Sequence, residues 1–156
     1  MHTVPPPGKA VMQSSRIDRA NFDAADFPIK AEIPIRFDDL DTLGHVNNAA
    51  AAVILQEGRV AFNQHAALRA AAGLRPVVAS LRIEFALELL YPGVVEVCSG
   101  IAKIGRTSFT LAQVARQNGH TALYAEVTLV VSGANGPAPI PDELRTVLER
   151  LRLAGD

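Results

Sequence analysis

Sulfur, net charge and long apolar runs are all scarce in this chain. Cys98 is the single cysteine, so no intrachain disulfide can form and nothing calls for an oxidising compartment. The cytoplasm is the expected location. A formal net charge of −1 at pH 7 exerts no global pull toward nucleic acid or anionic lipid, so neither nucleic acid nor membrane is an expected partner. No uninterrupted apolar run reaches the roughly 18 residues of a membrane span, and residues 1–7 lack the basic start and apolar block of a secretory signal. His2, His45, His65 and His120 are scattered, and no set of His, Cys and Asp shows metal-ligand spacing. Neither common phosphate-binding glycine loop is present. The G-x-S-x-G nucleophile elbow is missing too, which disfavours a serine triad. No metal and no redox cofactor is expected.

What is abundant is apolar: 49% of 156 residues are hydrophobic, enough for one substantial core in a single domain. Residues 1–28 read as an N-terminal extension, proline-rich and then polar. Its first dozen residues are expected to be disordered, with a short helical turn within 15–27 lying on the body. Residues 29–156 form that body. Across 29–37, Ile33, Ile35 and Phe37 fall on one face and Glu32, Pro34 and Arg36 on the other, a strand signature in which Pro34 suggests an edge or a bulge.

Residues 48–72 predict a helix: the stretch is rich in alanine, lacks proline, and has Gly73 where a C-terminal cap would fall. Its first turns, from Ala49 to Leu55, are apolar on every face, as expected of a helix enclosed by other structure. Polar residues enter from Gln56 onward, so the N-terminal half should be wrapped through Leu55 and the C-terminal half exposed. The period then switches to two. Leu81, Ile83, Phe85, Leu87 and Leu89 alternate with Ser80, Arg82, Glu84, Ala86 and Glu88, a half-buried strand. Further strands are expected over 94–104 (with a bulge at Gly100), 108–117 and 121–131, the last two joined by an Asn118-Gly119 hairpin turn. The chain closes on an amphipathic helix with Leu144, Val147, Leu148 and Leu151 on one face. Strand, long helix, then four strands in hairpin-like succession is an α+β order. An antiparallel sheet wrapped around one long central helix satisfies it and buries that helix.

Chemistry concentrates in residues 38–48, where Asp38, Asp39 and Asp41 stand in a short loop just ahead of the helix start. Free backbone N–H groups and the positive end of the helix dipole point outward there. A carbonyl oxygen that must become an oxyanion can be held at such a place, beside a carboxylate able to act on water. That suits acyl-transfer hydrolysis. Plainer readings stand beside this one. Carboxylates are favoured at helix entries by the dipole alone, and Asp38 and Asp39 are read as solvated or salt-bridged. His45 beside a helix start is by type a structural hydrogen-bonder, and Asn47 and Asn48 are N-cap types. Glu57 is read as pairing with Arg59 or a neighbour, and Cys98 as a small buried packing residue.

The run D-x-x-G-H-V-N-N over 41–48, followed by Glu57-Gly58-Arg59, resembles the 4-hydroxybenzoyl-CoA thioesterase family of hotdog-fold proteins. A second match, Gly105-Arg106-Thr107-Ser108, comes in the right structural order. The resemblance covers about residues 33–131 and returns at 140–145. It implies hydrolysis of an acyl-CoA thioester to free acid and coenzyme A. It places the catalytic carboxylate at Asp41, as general base or nucleophile, the oxyanion hole at the backbone N–H of Asn48, and His45 in a positioning role. It sets Arg106, Thr107 and Ser108 against the coenzyme A part of the substrate, where guanidinium and hydroxyl groups suit phosphates and amides. It also implies a homo-oligomer, a homodimer or a homotetramer made of two dimers, with the Asp41 region of one chain near the Arg106 region of another. Ala51 and Ile54 stand where the family often carries aromatics, which bears on the acyl group accepted. Two other readings remain: a hotdog module that binds acyl-CoA or acyl carrier without turnover, and a hotdog hydratase or dehydratase, for which His65 lies too far along the helix.

Overall fold

In the computed structural model, which describes residues 16–68 and 74–154, the chain runs α1 (Arg19–Ala24), β1 (Ile29–Pro34), a 3-10 turn (Phe37–Asp39) and α2 (Asn48–His65). It continues through β2 (Arg75–Phe85), β3 (Val94–Ile104), β4 (Ser108–Gln117), β5 (His120–Gly133), β6 (Gly136–Pro137) and α3 (Asp142–Arg150). The helix expected over 48–72 stops at His65, with residues 66–68 in a turn where Ala67 takes φ +50°; residues 69–73, like the first dozen residues expected to be disordered, lie outside the described residues. The strands form one antiparallel sheet in the order β1-β3-β4-β5-β2, with β6 on β5.

The alternating pattern sends one set of side chains to each face of this sheet. On one face, Ala51, Ile54 and Leu55 of α2 pack against Val95, Val97 and Leu123. On the other face, Ile17, Phe22 and Phe27 cover Cys98, Ala112, Val114 and Tyr124. Asp23 fastens that cover by accepting from the Tyr124 hydroxyl at 2.8 Å and the Thr121 hydroxyl at 3.0 Å. Inner strand β3 is thus covered on both sides, which is why its run from Val97 to Ile101 is continuously buried. α3 lays Leu144 and Leu148 over the end of the helix-bearing face, against Phe62, Phe109 and Leu111. Each such large side chain contributes about 1.5–3 kcal/mol by leaving water. A sheet curled round one central helix, with a closing C-terminal helix, is the hotdog fold.

Three further local expectations are corrected. The first turns of α2 are not wrapped: Ala49 is exposed and Val53 is 42% exposed, because the sheet reaches one face of the helix only. The strand expected through Leu89 ends at Phe85, and its apolar face is open, with Leu81 42% and Phe85 48% exposed. β2 is the sheet's edge, and α2 lies chiefly over β1 and β3. The bulge in β3 falls between Ile101 and Lys103, not at Gly100. There the missing side chain makes room for Leu153 and for Pro28, whose Cδ would lie 2.9 Å from an added Cβ.

Candidate active site

The loop ahead of α2 is knotted by its own hydrogen bonds. Oδ1 of Asp41 accepts from the backbone N–H of Leu43 at 2.8 Å and of His45 at 3.1 Å. The Asp41 N–H donates to the His45 carbonyl at 2.7 Å, and Leu40 bridges to Val46. Gly44 closes this tight turn at φ +80°, a conformation that suits glycine. The N–H groups of His45 and Leu43, with the His45 imidazole adding a smaller effect, hold the Asp41 carboxyl below the usual aspartate range. Asp41 is therefore ionised at neutral pH, and its Oδ2 makes no bond among the described residues.

Asp39 serves the scaffold. It is 4% exposed, accepts from the Arg36 backbone N–H at 2.8 Å and from its guanidinium at 3.1 Å, and its carbonyl receives the Asn47 N–H at 2.9 Å. Asp38 stays exposed. Asn47 caps α2, its side chain accepting from the Ala50 N–H at 2.7 Å. The amides of Asn48 and Ala49 make no bond among the described residues. Two free donors at the positive end of an 18-residue helix can stabilise negative charge developing on an oxygen.

These groups border a cleft of about 310 Å³. Its polar rim is Asp41, His45, Asn48 and Glu88, and its apolar wall includes Ala51, Phe85, Leu89 and Leu123. His45 Nδ1 lies 3.2 Å from Oε1 of Glu88. The cleft thus combines an ionised carboxylate, helix N-terminal amides and an apolar wall, the parts that thioester hydrolysis requires.

Arg106, Thr107 and Ser108 lie elsewhere. They form the turn into β4, where the Arg106 carbonyl accepts from the Ile140 N–H at 2.9 Å and the Thr107 carbonyl from the Val131 N–H at 2.8 Å. Ser108 pairs with Val130, whereas the cleft meets β5 at Leu123. Seven residues at about 3.3 Å each put roughly 23 Å along the strand between the two places. The single chain does not bring them together.

Residues 35–148 match the model of the thioesterase-like superfamily. The chain belongs to that superfamily. Among solved structures, a thioesterase from Thermus thermophilus, complexed with coenzyme A and zinc, is 29% identical. The match covers 80% of this chain and 95% of that one, with a TM-score of 0.72. A protein of Bacillus stearothermophilus described as a predicted thioesterase is 25% identical over 80% of this chain and 96% of its own, with a TM-score of 0.72. A gentisyl-coenzyme A thioesterase, BH1999, shares the fold at 17% identity, with 76% and 98% covered and a TM-score of 0.69. No curated protein matches the chain. Among the described residues of this thioesterase, no group of three or more His, Cys, Asp and Glu could hold a metal ion.

The far wall of the cleft was not legible in the sequence. Phe85, Leu89 and Glu88 reach it because the chain leaves β2 at Phe85 and folds under Leu123. The period-two pattern through Leu89 instead suggested a continuing strand with Glu88 on its polar face. Arg59, read as a surface partner of Glu57, turns inward, where its guanidinium donates to Gln113 Oε1 at 3.2 Å and burial lowers its pKa. The nearest sequence signal for that was Gly58, a mid-helix glycine that gives up helix propensity and in the structure marks the close approach of α2 to Val97 and Gln113.

Proposed function

We propose that this thioesterase hydrolyses an acyl-CoA thioester, with Asp41 as the catalytic carboxylate and the helix amides at Asn48 as the oxyanion hole. The observation that carries the reading is the ionised, half-satisfied Asp41 carboxylate sharing one cleft with unbonded helix N-terminal amides. The thioester oxygen docks on those amides, the acyl group enters the apolar part of the cleft, and Asp41 either activates water or attacks the carbonyl carbon. The C–S bond then breaks and coenzyme A is released. The His45 backbone positions Asp41 through the bond to Oδ1.

The working unit is a homodimer, which can pair into a tetramer. β2 has one strand neighbour and a free edge carrying exposed Val77, Val78 and Leu81, the kind of edge that a second copy covers. An antiparallel pairing of two β2 edges swaps their ends. It turns the partner subunit's Arg106 end toward the cleft end of the first chain, so that Arg106, Thr107 and Ser108 can meet the coenzyme A portion. Among the described residues no helix is long and apolar enough to cross a membrane. The single buried cysteine suits the reducing cytoplasm.

Release of free coenzyme A from a panel of acyl-CoAs tests the reading. Asp41→Asn should lower kcat at least about a hundred-fold while fold and assembly survive, whereas Asp38→Asn should cost little. Full activity in Asp41→Asn refutes the assignment. Binding without turnover across the panel would leave a non-catalytic acyl-CoA module, and hydration of an enoyl-CoA would make the protein a hydratase.

A further inference from the structure

Glu88 stands on the 86–93 loop, which is pinned on both sides of it. The Ala86 and Leu87 amides donate to the Ala122 carbonyl at 2.8 and 3.2 Å. Leu89 is buried to 3% exposure in the core beside α2. At Leu90 the Gln117 side chain accepts from the backbone N–H and donates to the carbonyl, each at 2.8 Å. Such anchors fix where the Glu88 backbone stands, and from there its solvent-exposed side chain has one polar partner among the described residues. That place is the cleft rim, where its Oε1 faces His45 Nδ1 at 3.2 Å. A carboxylate only accepts hydrogen bonds, so Nδ1 of the neutral ring carries the hydrogen, and Nε2 is left with its lone pair. Among the described residues, Asp41 and Glu88 are the charged groups that line the cleft with His45.

We propose that Glu88 is a positioning residue for thioester hydrolysis, fixing the His45 ring and its tautomer so that Nε2 carries a proton from the attacking water to the departing sulfur. The inference rests on the thioesterase reading above. Water's oxygen bonds the carbonyl carbon and one O–H bond breaks, its proton reaching Nε2 directly or by way of Asp41. The C–S bond breaks with its electron pair going to sulfur, and Nε2–H protonates that sulfur. Free acid and coenzyme A thiol leave, and His45 is neutral again. A carboxylate as weakly basic as Asp41 releases such a proton readily.

The test is Glu88→Ala and Glu88→Gln, each alone and combined with His45→Ala. The Glu88 side chain is 61% exposed, so its loss leaves the packing intact. A thiolate leaves with little acid help, so the effect should lie below the hundred-fold scale of a full proton-transfer group: kcat about five- to tenfold down in Glu88→Ala, KM within about twofold. Glu88→Gln, whose amide oxygen still accepts from Nδ1–H, should fall between. Neither change should matter once His45 is alanine. Nitrogen-15 spectra of the His45 ring should show the proton on Nδ1 in the wild type and shared between both nitrogens in Glu88→Ala. The inference is overturned by an unchanged kcat, by an equal loss in the His45→Ala background, or by a wild-type ring protonated on Nε2 alone. A wild type that turns over no thioester overturns the proposed function; one that turns over and ignores Glu88→Ala overturns this inference alone.

Discussion

Gly58 lets α2 lie closer to β3 than a side chain would permit, and Gly58→Ala measures how close. An added Cβ would collide with Val97 Cγ1, sit 2.8 Å from Val97 Cβ, and come within 3.3 Å of Gln113 Nε2. Neither neighbour can yield cheaply. Val97 is 1% exposed in the core, and Gln113 is fully buried, bonded to the Leu55 carbonyl at 3.1 Å, Ser99 Oγ at 3.0 Å and Arg59. Forcing one carbon into a packed core costs about 1–3 kcal/mol. Alanine returns up to about 1 kcal/mol of helix propensity. With a backbone-near Cβ as the clashing atom the first effect falls in its upper half, so the net loss is about 1–2 kcal/mol. For a chain of this size that lowers Tm by about 2–8 °C, readable by thermal unfolding followed by circular dichroism. Val97→Ala in the same molecule removes the Cγ1 part of the collision, so the double variant should be less destabilised than the sum of the two singles. A Gly58→Ala protein that melts higher than the parent would follow propensity alone and refute the close contact.

Asp41, held low by backbone N–H groups, stays ionised in the folded protein below its unfolded value. Its contribution is present above that unfolded value and lost only as pH falls through the folded one. An acid limb of kcat/KM that depends on Asp41 should therefore lie below the ordinary aspartate range of about 3.9; a limb at or above it contradicts the hydrogen-bond argument. Burial, then the neighbouring Glu96, pushes the Cys98 thiol up to about 11, so a thiol reagent at mildly alkaline pH should label the protein only after denaturation, and rapid native labelling would show Cys98 is accessible. Arg106→Ala should raise KM for coenzyme A thioesters about tenfold or more, the scale of a lost charge-assisted bond, with kcat little changed. The loss should shrink for a short thioester lacking the nucleotide, and an equal effect on both substrates would make Arg106 structural.

The loop and helix start were legible because their determinants are local. Asp41, Gly44, His45 and Asn47 lie within seven positions, and their bonds run to backbone groups two to four residues away. Residue type and spacing therefore decide them almost without the rest of the molecule. The apolar pattern of β2 was equally plain and yet misleading about the single chain. Alternation reports that a face is meant to be covered, not by what. Leu81 and Phe85 are open because the cover that their pattern asks for is not supplied by α2.

By itself the sequence determined the α+β order of elements, the helix that starts at a capped asparagine, and the carboxylate placed before it. The tertiary structure alone decided which distant residues share the cleft. Glu88 reaches His45 because the chain leaves β2, is pinned by Gln117 and Ala122, and returns beneath Leu123. Arg106 ends far from Asp41 because its turn is held at the Val130–Val131 end of β5, whereas the cleft that Asp41 borders meets β5 at Leu123. Local hydrogen bonds and propensities act over a few residues, so composition and spacing encode them directly. Contacts between distant segments depend on how the whole sheet closes around its helix, and no short window of sequence contains that.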